Sequence, residues 1–200
     1  MWQYNVELFQ YINELTRFEI IKCLAPLIAD IPIFFLPLFL TSMWLYYTFS
    51  QKFSWDTRYV LRENLMFIFY ACVTVIIFSY LIKSQVDIDR PETAITEAGK
   101  LLMHKIPESS FPSDHASVSF AFLTALYLTH YRRVFWVFLP FVILMNISRI
   151  VSWVHWPTDI IWWLIIWLLA WYIGTRVLPK IKLVKNTNSF IIKVLWYLKL

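Results

Sequence analysis

Three separate stretches of this 200-residue sequence carry the side chains that could do chemistry. They are Lys83 with Arg90, then Pro112-Ser113-Asp114-His115, and then Ser148-Arg149 followed by His155 and Asp159. Arginine and lysine donate charge-assisted hydrogen bonds to phosphate oxygens. Histidine can act as a nucleophile or as a general acid near neutral pH. The combination predicts chemistry at phosphorus, with the cations stabilising the charge of a transferring phosphoryl group.

The two histidines and one aspartate are the candidates for direct roles. One of His115 and His155 would attack phosphorus while the other protonates the leaving oxygen. Asp159 lies four residues after His155, at the predicted start of a helix. A carboxylate there could accept the imidazole N–H, fix its tautomer and raise its nucleophilicity. Ser113 follows Pro112 at another predicted helix start, where free backbone N–H groups favour an anion.

Metal binding is the competing interpretation of two histidines near aspartates. The neighbouring Lys83, Arg90 and Arg149 would repel a cation, and no His-x-x-x-His or Cys-x-x-Cys spacing occurs. We therefore expect no metal and no other cofactor. A haem- or quinone-binding membrane protein is an alternative of a different class, which a strong Soret band would favour. A non-catalytic lipid-binding protein is disfavoured, because binding alone needs no nucleophile.

The composition places these residues in a membrane protein. Of the residues, 60% are hydrophobic and 16% charged, whereas a soluble domain carries about a quarter charged residues. Apolar blocks run over residues 24–49, 65–82, 116–129, 134–147 and 160–175. A spanning helix needs about 20 apolar residues, which the last three blocks reach only with the polar residues at their ends. We predict an all-α integral membrane protein, a bundle of five or six transmembrane helices.

The basic residues predict how this bundle is oriented. With five spans, eleven of the 18 lysines and arginines fall on one side and seven on the other. The side with eleven is cytoplasmic by the positive-inside rule. The N-terminus and residues 83–115 and 149–159 then face outward, so the three chemical stretches meet at one membrane face. The net charge of +5 reflects topology, and we expect no nucleic-acid partner.

The chain is predicted to be a single domain over residues 1–200. Residues 1–20 form an amphipathic interfacial helix, residues 24–178 the helical core, and residues 179–200 a cytoplasmic tail whose last part, 186–200, could form a second surface helix. A further interfacial helix, a lid over the site, is predicted within residues 92–106. His104 and His130 lie outside the motifs and are expected at the surface. The sequence does not define the oligomeric state.

Two aspartates have open roles. Asp30 lies among Pro26, Pro32 and Pro37, which should bend or break the first span. Its carboxylate would either pair with a cation of the site or cap a broken helix. Asp114, next to Ser113, is expected to be a helix-start residue or to contact the substrate.

The motifs resemble those of a known family. Lys83 with six residues before Arg90-Pro91, then Pro112–His115, then Ser148-Arg149 with five residues before His155, resemble the tripartite signature of the type 2 phosphatidic acid phosphatase (PAP2) superfamily. The resemblance covers roughly residues 24–178. Residues 110–115 and 154–159 are most similar to the bacitracin-resistance type undecaprenyl diphosphate phosphatases. That subgroup commonly has an aspartate between the serine and histidine of the middle motif.

The resemblance implies a mechanism without metal. His155 would be the nucleophile and form a phosphohistidine, Asp159 would support it, and His115 would protonate the leaving group and later help to activate water. The phosphoryl oxygens would be held by Lys83, Arg90, Ser113 and Arg149, with Asp114, Pro112 and Ser148 as additional site residues.

The implied partners are a lipid phosphate or diphosphate and the surrounding membrane lipids. The leading reaction is hydrolysis of undecaprenyl diphosphate to undecaprenyl phosphate at the outer face of a bacterial cytoplasmic membrane. Lipid A, phosphatidylglycerol phosphate or another lipid is the alternative substrate, and phosphoryl transfer to a second lipid is the alternative to hydrolysis.

The sequence departs from the family pattern at three places. Trp153 stands where relatives usually have glycine, Trp162-Trp163 occupies a place often held by glycines, and Ala116 replaces a frequent glycine. Bulky indoles near the site could narrow the lipid channel, so these departures concern the substrate more than the reaction.

Overall fold

The computed structural model describes residues 2–94, 109–129, 131–177 and 180–197, and these residues contain helices and no strand. The helices are α1 Trp2–Asn13, α2 Glu19–Asp30, α3 Phe35–Phe49, α4 Trp55–Lys83, α5 Pro91–Ala94, α6 Asp114–Leu128, α7 Arg132–Val151, α8 Pro157–Tyr172 and α9 Lys182–Tyr197. Short 3-10 turns occupy Glu14–Arg17 and Ile31–Phe34, and a π-helical turn occupies Ile173–Val177. The predicted all-α class is confirmed.

Three helical stretches of the described chain are long and apolar enough to cross a membrane: Glu19–Phe49, Trp55–Lys83 and Arg132–Val151. Helices α6 and α8 have only 15 and 16 residues, fewer than the roughly 20 that a span needs. The protein is therefore a membrane protein with three candidate spans in its described part. The total of five or six spans stays a prediction.

Prolines interrupt the first candidate span, as predicted. Pro26 lies inside α2, and Pro32 lies in the 3-10 turn that separates α2 from α3. Proline lacks the backbone N–H and its ring clashes with the preceding turn. The α-helix continues through Pro26 but changes to the 3-10 turn at Pro32. Asp30 is the last residue of α2, and its side chain makes no capping hydrogen bond to the following turn. The alternative that Asp30 caps a broken helix is therefore wrong.

Helix α6 is the central element of the described bundle and packs against α4, α7 and α8. The first half of its buried face carries the small side chains Ala116, Ser117, Ser119 and Ala121. Small residues let neighbouring helices in a membrane approach closely. Further along, Phe122 and Leu126 pack with residues of α3 and α4 in the main apolar cluster. This packing fixes the first turn of α6 beside the ends of its neighbours.

Helix α1 has one buried face and one exposed face. Phe9 is fully buried, and Asn5 and Asn13, one turn to either side, are buried as well. Tyr4 and Tyr11 are among the most exposed aromatic residues. The helix packs against α7 and α8. The amphipathic helix predicted at the N-terminus is present, while its seat on a membrane surface stays a prediction.

Several expectations fall partly or wholly outside the described residues. The described part of the predicted 92–106 helix ends at residue 94, within α5, and His104 and His130 are both outside. The tail contains α9, which packs against α4 and buries Asn188 and Ile192.

Candidate active site

The residues Ser152–Trp156 connect α7 to α8 and carry His155. Backbone hydrogen bonds fold this loop tightly on the end of α7, from Trp153 N to Ile150 O at 3.1 Å and from Val154 N to Arg149 O at 3.2 Å. Trp153 has φ 66°, in the left-handed region. Only glycine adopts that region without steric cost, and another residue held there stores roughly 1–3 kcal/mol of strain. A glycine at this position would therefore fit the turn directly.

The His155 imidazole is buried and held at both nitrogens. Its Nδ1 lies 2.8 Å from the carbonyl oxygen of Ser110. Because a carbonyl oxygen can only accept, Nδ1 carries the proton and donates it in this hydrogen bond. Nε2 then has a free lone pair, which accepts a hydrogen bond from Arg149 Nη2 at 3.1 Å. This tautomer leaves the unprotonated nitrogen, Nε2, on the side of Arg149.

Asp159 supports the loop as well as the imidazole. Its Oδ2 lies 3.5 Å from His155 Nδ1, but it accepts shorter hydrogen bonds from Ser110 Oγ at 2.7 Å and from the Trp156 backbone N–H at 2.9 Å. The carbonyl of Ser110 is thus the nearest partner of the imidazole N–H, and Asp159 acts on the imidazole largely by fixing Ser110 and the start of α8.

The surroundings of His155 keep it neutral. Burial lowers the pKa of this imidazole well below its usual value, and the positive charges of Arg149 and Arg90 lower the pKa further. The hydrogen bond to the Ser110 carbonyl opposes this shift without cancelling it. A neutral imidazole is the form that can attack phosphorus.

Asp30 connects the second histidine to the same arginine. Its Oδ1 accepts a hydrogen bond from Arg149 Nη1 at 2.7 Å and lies 3.3 Å from His115 Nε2. Arg149 Nη1 also donates to the carbonyl oxygen of Ala29 at 3.3 Å. The alternative that Asp30 pairs with a cation of the site is therefore confirmed. Asp30 is thus linked directly to the imidazole of His115 and, through Arg149, to that of His155.

The remaining cations lie around this group. Lys83, the last residue of α4, forms an ion pair with Asp114 at 2.6 Å. Arg90 Nη1 donates to the carbonyl oxygen of Val154, next to His155, at 3.1 Å. The ends of α4, α6 and α7 thus meet at one end of the bundle, as the membrane topology predicts.

Ser113 lies at the N-terminal end of α6. It precedes the first turn of α6, its side chain forms no capping hydrogen bond, and its buried Oγ has no hydrogen-bond partner among the described residues. Pro112 and Ser148 are also buried. The carbonyl oxygen of Ser148 accepts a hydrogen bond from Ser152 N, at the start of the loop, at 2.8 Å.

A cavity of about 520 Å³ is bordered by Asp159, Trp156 and Asn5. Two further cavities lie near these residues. One, of about 470 Å³, is bordered by Lys83 and Asp114 together with polar side chains such as Asp87 and Ser109. The other, of about 390 Å³, is almost wholly apolar and lies between the Pro32–Ser42 stretch and α7, where it reaches Met145, one turn before Arg149. Within the described residues, no group of three or more His, Cys, Asp or Glu side chains is arranged to hold a metal ion.

The sequence did not single out Ser110 as a site residue. Ser110 acts through its carbonyl oxygen as well as its hydroxyl, and a backbone group gives no signal in side-chain composition. Its position directly before the Phe111-Pro112-Ser113 run was the only available hint. All ten residues that the sequence did single out are described, and the contacts above connect His115, His155, Asp159, Arg90 and Arg149 into one cluster, with Lys83 and Asp114 paired beside it.

Comparison with known proteins agrees with the motifs. The profile of the PAP2 superfamily matches residues 64–182, which include every predicted site residue. The chain belongs to the PAP2 superfamily and is a membrane phosphatase of that class. It is 27% identical over 160 residues to the bacitracin transport permease protein BcrC of Bacillus licheniformis, covering 78% of this chain and 71% of that protein. No solved structure is significantly similar to the chain.

Proposed function

We propose that the protein hydrolyses undecaprenyl diphosphate to undecaprenyl phosphate through a phosphohistidine at His155. The observation that carries the proposal is the tautomer of His155. With Nδ1 donating to the Ser110 carbonyl, the Nε2 lone pair points toward Arg149, the residue best placed to bind a phosphoryl oxygen. A neutral nucleophile beside a fixed guanidinium is the arrangement that phosphoryl transfer without a metal requires.

In the first step, Nε2 of His155 forms a bond to phosphorus and the bond from phosphorus to the leaving oxygen breaks. Arg149 Nη2, which now hydrogen-bonds Nε2, would exchange that contact for a phosphoryl oxygen. Arg90, Lys83 and the Ser113 hydroxyl would hold the other oxygens. Protonated His115 would give its Nε2 proton to the leaving oxygen. That oxygen would take the place beside Nε2 that Asp30 Oδ1 occupies in the structure.

In the second step, water attacks the phosphohistidine and the N–P bond breaks. His115, now neutral, takes the proton from this water, and inorganic phosphate leaves. Asp159 and Ser110 would hold the His155 ring in one orientation through both steps. Asp114, Pro112 and Ser148 are proposed as additional site residues, Asp114 through its ion pair with Lys83.

A lipid substrate is supported by the apolar cavity between the Pro32–Ser42 stretch and α7. Its lining begins two residues after Asp30 and one turn before Arg149, so a hydrocarbon chain in the cavity would leave its phosphate beside the cations. Undecaprenyl diphosphate is favoured by the likeness of residues 110–115 to the bacitracin-resistance type phosphatases. Another lipid phosphate, or transfer to a second lipid instead of water, is the alternative within this chemistry.

We further propose that the site faces the outside of a bacterial cytoplasmic membrane, because most lysines and arginines fall on the opposite side of the predicted spans. A lipid carrier released on that side could be dephosphorylated without crossing the membrane.

Phosphate release by the purified protein tests the proposal. The protein in detergent with a chelator is assayed with undecaprenyl diphosphate, phosphatidic acid and lipid A. We expect the highest kcat/KM with undecaprenyl diphosphate, and a loss of roughly a thousandfold or more in His155→Ala, since the loss of a nucleophile costs several orders of magnitude.

The matched control is His130→Ala, a histidine substitution outside the three motifs. The proposal would be wrong if His155→Ala stayed active while folded, or if no lipid released phosphate. Inclusion of a second lipid with a free hydroxyl distinguishes hydrolysis from transfer, since transfer would move the phosphate to that lipid without releasing it.

A further inference from the structure

The loop Ser152–Trp156 packs against α1 through Phe9. The Phe9 ring lies 5.0 Å from the Trp153 ring at an interplanar angle of 85° and 5.2 Å from the Trp156 ring at 56°. Phe9, Trp153 and Trp156 are all buried and form one apolar cluster with Ile150. These two indoles stand at either end of Val154-His155. Phe9 therefore packs against the residues on both sides of Val154-His155.

Two asparagines of α1 bond the helices on either side of the loop. Asn13 Nδ2 lies 3.4 Å from the carbonyl oxygen of Ile150, near the end of α7. Asn5 Oδ1 accepts a hydrogen bond at 3.1 Å from the backbone N–H of Thr158, in the first turn of α8. The first N–H groups and last carbonyls of a helix lack partners within the helix. Asn5 supplies an acceptor for the Thr158 N–H, and Asn13 supplies a donor for the Ile150 carbonyl oxygen.

The contacts of α1 bear on the backbone conformation of Trp153. Its left-handed backbone conformation has a steric cost that glycine would not have. A tryptophan in this conformation needs its side chain fixed, and the fully buried Phe9 contacts its indole edge-to-face. Arg149 and His155 flank Trp153 within six residues. A relaxation of φ at this residue would therefore rotate the imidazole away from its partners.

We propose that α1 is a positioning element of the active site, in which Phe9 holds Trp153 in its left-handed conformation and thereby aims His155 Nε2 at the substrate. The proposal rests on the proposed function, because the aim of Nε2 matters only if His155 is the nucleophile. Phe9 touches no reacting atom, so its removal should change kcat rather than KM. Phe9 and Trp153 should also be coupled, since Phe9 is needed only while residue 153 is a tryptophan.

A double-mutant cycle tests this coupling. We compare kcat and KM of the full-length protein, Phe9→Ala, Trp153→Gly and the double variant. Misplacement of a reacting group by about 1 Å costs on the order of a hundredfold in rate. We expect Phe9→Ala to lower kcat by about 30- to 100-fold with KM changed less than about threefold. In the Trp153→Gly background, the same substitution should lower kcat by less than about threefold.

The matched control is Tyr4→Ala, which removes an exposed aromatic ring from the same helix and should leave kcat unchanged. Equal losses from Phe9→Ala in both backgrounds would overturn the proposal, as would a change in KM alone. If Phe9→Ala does not fold, Phe9→Leu takes its place in the cycle, with a smaller loss that Trp153→Gly again removes.

A second measurement does not depend on activity. Hydrogen–deuterium exchange of the segment 148–158 should be faster in Phe9→Ala than in the wild-type protein, and unchanged in Tyr4→Ala. Unchanged exchange in Phe9→Ala would overturn the role of α1 even in an active enzyme. If the wild-type protein releases phosphate from no lipid, the proposed function fails, while the exchange measurement still decides whether α1 holds the loop.

Discussion

At the scale of single residues, each of the two histidines lies near a carboxylate, but the two carboxylates differ in position. Asp159 lies on the Nδ1 side of the His155 ring, where it accepts a hydrogen bond from Ser110. The Nε2 side of the ring faces Arg149. Asp30 lies in front of His115 and Arg149 and occupies hydrogen-bonding positions that a phosphoryl oxygen would need. Asp159 therefore supports the site, whereas Asp30 competes with the anion that the site should bind.

This competition gives a prediction for Asp30→Asn. Removal of one negative charge next to Arg149 and His115 should strengthen inhibition by inorganic phosphate, by about tenfold if the relief is about 1.4 kcal/mol. The measurement is the inhibition constant of phosphate in the hydrolysis assay. Weaker inhibition in Asp30→Asn would show instead that the carboxylate orients the two cations for binding.

The role of His115 predicts a dependence on the leaving group. An alkyl phosphate leaving group has a pKa near 6, about ten units below that of an alcohol, so it needs little help from a general acid. We expect His115→Ala to lower kcat for a lipid monophosphate at least about tenfold more than for a lipid diphosphate. The two substrates are compared with the same variant at one pH. Equal losses would contradict proton donation by His115.

The sequence predicted these residues because charged and hydroxyl groups are rare in apolar segments and few functions retain them there. It did not predict what lies between them. The Ser110 carbonyl holds His155 more closely than Asp159 does, and no pattern of side chains identifies a backbone acceptor. The role of Asp30 could be decided only from the structure, because an aspartate among prolines could either pair with a cation or cap a helix.

At the scale of elements, long apolar runs predicted α4 and α7, and the prolines predicted the break between α2 and α3. The buried face of α1 was harder to recognise. It consists of Asn5, Phe9 and Asn13. Asparagine is not expected on a buried helix face, and these two are buried where they hydrogen-bond backbone groups of α7 and α8. The hydrophobic residues Tyr4 and Leu8, by contrast, lie on the exposed face of the helix.

The asparagine contact to α8 gives a prediction at this scale. In Asn5→Ala the Thr158 N–H loses its acceptor, and loss of a capping partner costs about 1 kcal/mol. We expect a lower midpoint of thermal unfolding, by a few degrees, in detergent. Gln10→Ala, an exposed position on the same helix, is the control and should leave the midpoint unchanged. An unchanged midpoint in Asn5→Ala would mean that water replaces the asparagine at no cost.

At the scale of the whole molecule, α4 carries polar groups that mark both ends of the apolar layer. Lys83 ends the helix at the active site, while Arg62 is buried near the other end, over the Trp44 ring and bonded to Thr48. Lys83 follows Arg62 by 21 positions, a helical rise of about 30 Å that is close to the thickness of a bilayer core. The basic surplus lies beyond the Arg62 end, which supports the proposal that the site faces the outer side.

Two glutamines test this orientation. Gln51 and Gln85 are both exposed and lie just beyond opposite ends of α4. With Cys23 replaced by serine and Cys72 buried, each glutamine is changed to cysteine in turn. A membrane-impermeant thiol reagent added to intact cells should label Gln85→Cys and not Gln51→Cys. Labelling of Gln51→Cys alone would invert the proposed topology.

The most direct test of the account is the identity of the covalent intermediate. Undecaprenyl diphosphate with a labelled terminal phosphate is mixed with the protein and quenched in base, in which phosphohistidine survives. The account predicts one labelled peptide, carrying the phosphate on His155, and no label in His155→Ala while His115→Ala still becomes labelled. Label on any other residue, or rapid phosphate release with no labelled protein at any time, would contradict it.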